Sequence, residues 1–117
     1  MPEGRFMLAI QGYVDWPAGL RDEIRSILAT LAERTRQDAG CIAYWWAEDL
    51  DHPGRFRFFE AWEDQPTFDA HRSADYEHEF MNTQIPRAVG ASAMEFALSG
   101  VKSLDSEVPA DEPGAGG

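Results

Sequence analysis

Two runs of eight residues, Cys41 to Glu48 and Arg55 to Trp62, constrain this chain more than any other feature. They hold Tyr44, Trp45, Trp46, Phe56, Phe58, Phe59 and Trp62, seven aromatic rings within 19 positions. The segment between them, Asp49 to Gly54, has turn chemistry: two aspartates, a proline and a glycine. The pattern predicts a β-hairpin. Alternation puts Ile42, Tyr44 and Trp46 on one side of its first strand and Cys41, Ala43, Trp45 and Ala47 on the other, so both faces are apolar. One layer of helices covers one face only. A second copy of the chain, in a homodimer, is the simplest cover for the other.

Around the hairpin the hydrophobic period switches in an interpretable order. Phe6, Leu8, Ile10, Gly12 and Val14 alternate with Met7, Ala9, Gln11 and Tyr13, a strand pattern. After Pro17 and Gly19, Leu20, Ile24, Ile27, Leu28 and Leu31 recur at three- and four-residue intervals, the stripe of an amphipathic helix that stops near Asp38 and Gly40. Asp64 is placed to cap a helix beginning near Pro66. Ser73 starts another, with Tyr76 and Phe80 on its inner face, and Pro86 ends or bends it. Ala91 to Val101 alternates again, with Met94, Phe96 and Leu98 on one side and Glu95, Ala97 and Ser99 on the other. This order predicts an α+β, ferredoxin-like βαββαβ fold: a four-stranded antiparallel sheet with helices on one face.

The 117 residues make one domain, residues 5–104, followed at 105–117 by an acidic Pro/Gly-rich stretch that reads as a disordered tail. The net charge is −11, and without the tail's four acids it is still −7. Lys102 is the single lysine. Nucleic acid and anionic membrane surfaces require clustered bases, so neither is expected as a partner. No apolar run approaches the ~20 residues of a membrane span, and the first residues lack a signal-peptide pattern. With a lone cysteine, Cys41, the chain reads as cytoplasmic.

The stretch Gly40 to Phe80 resembles the antibiotic biosynthesis monooxygenase family of dimeric α+β barrels. The residues that carry the likeness are Gly40, Cys41 and Tyr44, then Glu60 and Trp62, then Asp69, Ala70 and His71, in that order. The resemblance implies a homodimer and oxygenation or related chemistry on aromatic phenols, quinols or small electrophiles, often with no bound cofactor. Haem-degrading relatives combine a first-strand Asn, a third-strand Trp and a His on the second helical region. Trp62 occupies the tryptophan's place, but Phe6 to Val14 contains no Asn and Phe80 falls at the ligating position. Haem degradation is therefore not expected.

Strand parity sets Phe56, Phe58, Glu60 and Trp62 on one face and Arg57 on the other. A carboxylate in an aromatic row must be bonded, paired or protonated. Glu60 is thus a general base or substrate-orienting group, or else a structural carboxylate bonded to Tyr44 or a helix. His71 follows Phe68 by about one helical turn, where its ring can point back to the sheet. It is a base whose ordinary pKa of about 6.5 suits removal of a phenolic proton, or a packed histidine bonded to Glu60 or backbone. His78, flanked by Glu77 and Glu79, reads as a solvated helix face, and His52 as a loop residue. The spacing predicts a cavity between the sheet and the helices after Asp64, lined by Tyr44, Phe58, Glu60, Trp62, His71 and Phe80, with Trp46 added by an even hairpin register.

No HExxH, cysteine pair, phosphate-binding glycine loop or nucleophile elbow occurs, so no metal, flavin or haem is expected. The functional expectation is a cofactor-independent monooxygenase acting on a phenol, quinol or anthrone-like molecule and O2. The alternatives are a noncatalytic ligand-binding barrel, or an isomerase or detoxifying enzyme on the same scaffold.

Overall fold

The computed structural model describes residues 6–105. All but the first residue of the predicted tail lies outside that range. The elements run β1 Met7–Asp15, α1 Arg21–Thr35, β2 Cys41–Glu48, β3 Arg55–Trp62, α2 Gln65–Arg72, α3 Asp75–Thr83 and β4 Gly90–Leu98, with single 3₁₀ turns at Ala18–Leu20 and Ile85–Arg87. The strands form one antiparallel sheet in the order β2-β3-β1-β4, the ferredoxin-like α+β arrangement the sequence predicts.

Register puts the aromatic rows together. Val14 lies opposite Phe56, Gly12 opposite Phe58, Ile10 opposite Glu60 and Leu8 opposite Trp62, while Tyr44 and Trp46 of β2 face Glu60 and Phe58. Because side chains alternate with a period of two, all of these share one face. On it α1 lays Ile24, Leu28 and Leu31, and the core closes around Val14, Trp16, Tyr44, Phe56 and Phe80. Buried Trp16 donates its indole N–H to the Gln84 carbonyl at 2.9 Å, which ties the exit of β1 to the end of α3.

Parity fails at one place. The β2–β3 register shifts between Cys41 and Ala43, a bulge that brings Cys41 opposite Trp62 and packs it against the core. Ile42, expected beside Tyr44 and Trp46, is instead 50% exposed. Just before the bulge Gly40 takes φ +81°, where any Cβ would run into the Thr67 side chain. At the β2 edge, Arg36 donates its Nε–H to the Tyr44 carbonyl at 2.9 Å.

Asp64 accepts from the Thr67 N–H at 3.0 Å and caps α2, with Pro66 in the first turn, as expected. Ser73 does not start the next helix; its N–H closes the end of α2 onto Asp69 and Ala70, and α3 begins at Asp75. The last strand ends at Leu98, short of Val101. On the helix-free face Trp45 stacks on Phe59 at 5.9 Å, and Met94 and Phe96 are exposed. Arg57 sits on an inner strand and donates to Asp49 at 2.5 Å. Among the described residues no helix is long and apolar enough to cross a membrane.

Candidate functional site

A cavity of about 590 Å³ lies between the sheet and the helices after Asp64. Tyr44, Trp46 and Phe58 line it from the sheet, Phe68 from α2 and Phe80 from α3. The Trp46 and Phe58 rings are 4.8 Å apart, and Phe80 meets Trp46 edge-on at 6.1 Å. The Tyr44 hydroxyl accepts the Trp46 indole N–H at 2.9 Å. Burial pushes the Tyr44 phenol well above its ordinary range, so it remains a neutral hydroxyl. Ile10 and Val14 of β1 and Ala91, Ala93 and Glu95 of exposed β4 continue the wall.

Glu60 enters this aromatic space from β3. One of its oxygens accepts the Trp62 indole N–H at 2.9 Å, not a bond from Tyr44. Burial raises its pKa above the usual carboxylate value, the Trp62 hydrogen bond and the nearby His71 charge opposing this only in part. The group therefore holds a proton more readily than a surface glutamate and suits proton transfer nearer neutrality.

Two residues predicted to line the cavity do not. Trp62 is 0% exposed and is sealed beneath α2, which begins only three residues later. His71, 2% exposed, lies behind it rather than in the cavity wall. The imidazole lies between two carboxylates: Nδ1 is 3.2 Å from Asp38 Oδ2 and 2.9 Å from the Tyr76 hydroxyl, while Nε2 is 3.3 Å from Glu77 Oε2, an ion-pair distance without a formed hydrogen bond. Tyr76 donates to Asp38, and Arg34 bonds the other Asp38 oxygen at 2.8 Å. Burial alone would lower the His71 pKa, but the Glu77 and Asp38 carboxylates outweigh it and raise it above 6.5. The partners are thus Asp38, Tyr76 and Glu77, not Glu60 or backbone.

Glu77 is the residue the sequence reading missed. Assigned to a solvated helix face with His78 and Glu79, it is 5% exposed and forms part of the cavity wall. Arg72, also in the wall, donates to Glu77 Oε2 at 3.0 Å. The available signal was its position three residues before Phe80, which places both on one helical face. His78 is exposed as expected, and His52 lies in the 49–54 loop against Asp49. Among the described residues no group of three or more His, Cys, Asp or Glu side chains is arranged to hold a metal ion.

Comparisons with known proteins agree with this architecture. The chain is 30% identical over 74 residues to the uncharacterized protein sll1783 of a Synechocystis strain, and it spans half the length of that relative and 63% of its own. Among solved structures, protein SO0527 of Shewanella oneidensis superposes with a TM-score of 0.73 at 24% identity, covering 79% of this chain and 90% of that one. A Deinococcus radiodurans protein, named as a candidate antibiotic biosynthesis monooxygenase, gives 0.73 at 20% identity over 82% and 96% of the two chains. Rv0793 of Mycobacterium tuberculosis gives 0.72 at 20% identity over 83% and 99%. These likenesses establish the shared fold. The sequence pattern described as antibiotic biosynthesis monooxygenase matches residues 7–83, well over half of the chain. The chain belongs to the antibiotic biosynthesis monooxygenase family.

Proposed function

We propose that this protein is a cofactor-independent monooxygenase that oxygenates a flat phenol, quinol or anthrone-like molecule with O2. The observation that carries the reading is Glu60: a carboxyl with a raised pKa, held by the Trp62 indole, within an aromatic-walled cavity. The walls stack the substrate and exclude water, and Glu60 removes its acidic proton. The resulting anion passes one electron to O2. Recombination of the radical pair forms the C–O bond of a peroxide, which takes back a proton. With an anthrone-like methylene, loss of water from that hydroperoxide leaves the ketone, so the substrate supplies all the electrons. His71, the first candidate from sequence, is here a positioning residue, because it does not line the cavity and bears on it through Glu77, Tyr44 and the Trp62 ring that holds Glu60.

We further infer that the working unit is a homodimer joined across the helix-free face, where Trp45, Phe59, Met94 and Phe96 form an apolar surface. A cytosolic setting fits a single thiol that needs no partner. The test is oxygen uptake by purified protein against a panel of quinols and anthrones. Uptake should require no added flavin or metal, and Glu60→Gln should lower it by roughly a hundredfold or more. Turnover without oxygen consumption would instead indicate an isomerase, and binding without turnover a ligand-carrying barrel.

A further inference from the structure

Glu77 presents its two oxygens to different surroundings. Oε2 is held by Arg72 Nη1 at 3.0 Å and lies 3.3 Å from His71 Nε2. Oε1 is buried and has no hydrogen-bond partner among the described residues, and His71 Nε2, beside Oε2, makes no hydrogen bond there either. A buried carboxylate oxygen left unpaired carries a desolvation penalty that a donor from outside the chain would relieve. Glu77 is part of the cavity wall, so the cavity is the side from which such a donor can come once the carboxylate turns toward it.

The charges around that wall narrow the donor's chemistry. Three carboxylates line the cavity, Glu60, Glu77 and Glu95, against one cation, Arg72, which is already committed to Glu77. An anionic aromatic acid would meet excess negative charge with no free cation to receive it. An aryl ether of the same shape would fill the aromatic space and leave Oε1 unpaired. A neutral hydroxyl meets both conditions. Stacking among Trp46, Phe58 and Phe80 would hold the ring that carries it.

We propose that Glu77 is a specificity-determining residue: Oε1 accepts a hydrogen bond from a ligand hydroxyl, so the cavity selects neutral hydroxylated aromatics over their ethers and over aromatic carboxylates. Arg72 and His71 act behind it, holding the second oxygen. This assignment deepens the proposed function and rests on it only in taking the cavity as the ligand site. It concerns recognition and stands apart from which group removes the proton.

Equilibrium dialysis under argon, where no oxygenation can occur, separates the two. The probes are 2-naphthol, 2-methoxynaphthalene and 2-naphthoate at pH 7. The unaltered protein should hold 2-naphthol at least about tenfold more tightly than either of the others, the scale of a hydrogen bond to a charged group. In Glu77→Gln, Arg72 and His71 should capture the amide oxygen and turn the NH2 group to the cavity. The preference for naphthol over the ether should then shrink to about threefold or less, and naphthoate should bind better than to the unaltered protein. Equal binding of naphthol and methoxynaphthalene by the unaltered protein would overturn the role given to Glu77 while leaving the cavity as the ligand site. A preference that persists in folded Glu77→Gln would overturn it as well. Binding of none of the three would overturn both the role and the cavity itself. The comparison on the unaltered protein does not depend on the variant's folding.

Discussion

The imidazole of His71 lies against the indole of Trp62, with ring centroids 4.8 Å apart and planes 28° from parallel. The stack fixes the imidazole between Asp38 and Glu77, with each ring nitrogen close to a carboxylate. Removing it takes from each of these two acids its buried cationic neighbour, leaving Asp38 with Arg34 and Tyr76 and Glu77 with the half-exposed Arg72. His71→Ala should therefore destabilise the fold by about 3 kcal/mol, the usual cost of stripping one member from a buried ion pair, as read by urea denaturation. A loss below about 1 kcal/mol would show that the cluster contributes little.

The same pair predicts a pH dependence. The folded pKa of His71 lies above 6.5, so the folded state binds its proton more tightly than the open chain does. That stabilisation is complete below about pH 6.5 and is lost as pH rises through the folded midpoint. The stability difference between the protein and His71→Gln should shrink over that interval. An NMR titration should place the His71 midpoint above 6.5 and find it lower in Glu77→Gln. A midpoint unmoved by that substitution would contradict the coupling.

Glu60 should leave its own mark on activity. A carboxylate base works only when deprotonated, and burial holds the Glu60 pKa above 4.5. With a turning-over substrate, kcat/KM should climb with pH through a midpoint above 4.5, and Glu60→Gln should remove that limb. A limb centred at or below 4.5 would assign the proton transfer to another group.

Replacing Trp45 or Phe96 by glutamate would put a charge in the middle of the helix-free apolar face. Sedimentation at micromolar concentration should show dimers for the unaltered protein and monomers for either variant. Monomers of the unaltered protein would remove the proposed interface.

Gly40→Ala tests the joint between α1 and the bulged strand. The backbone there has φ +81° and a methyl group would collide with Thr67. The expected loss is about 1 to 3 kcal/mol in denaturant unfolding, as strain of this kind is measured elsewhere. An unchanged midpoint would mean that α2 shifts freely to accommodate the methyl.

What could be read from the letters follows from periodicity. A period of two put Tyr44, Trp46, Phe58 and Glu60 on one face because alternation is geometric, and β1, β2 and β3 obey it across the whole cavity floor. The bulge at Ile42 was not legible, since one extra residue in a strand leaves no mark in apolar alternation when both faces are apolar. Parity also reports a face and not a depth. Trp62 shares the face of Glu60, yet only Glu63 and Asp64 separate it from α2, so the helix lands on it and the open space moves toward β1 and β4. His71 is carried under with it. Glu77 was masked by its neighbours: an acid beside a histidine and a second acid looks like surface, and only the spacing to Phe80 argued otherwise.

The bond from Arg36 to the Tyr44 carbonyl, together with the bulge beside it, breaks the row of free backbone groups along β2. A strand added along β2 by backbone pairing would have to displace Arg36 from that carbonyl and follow the bulge.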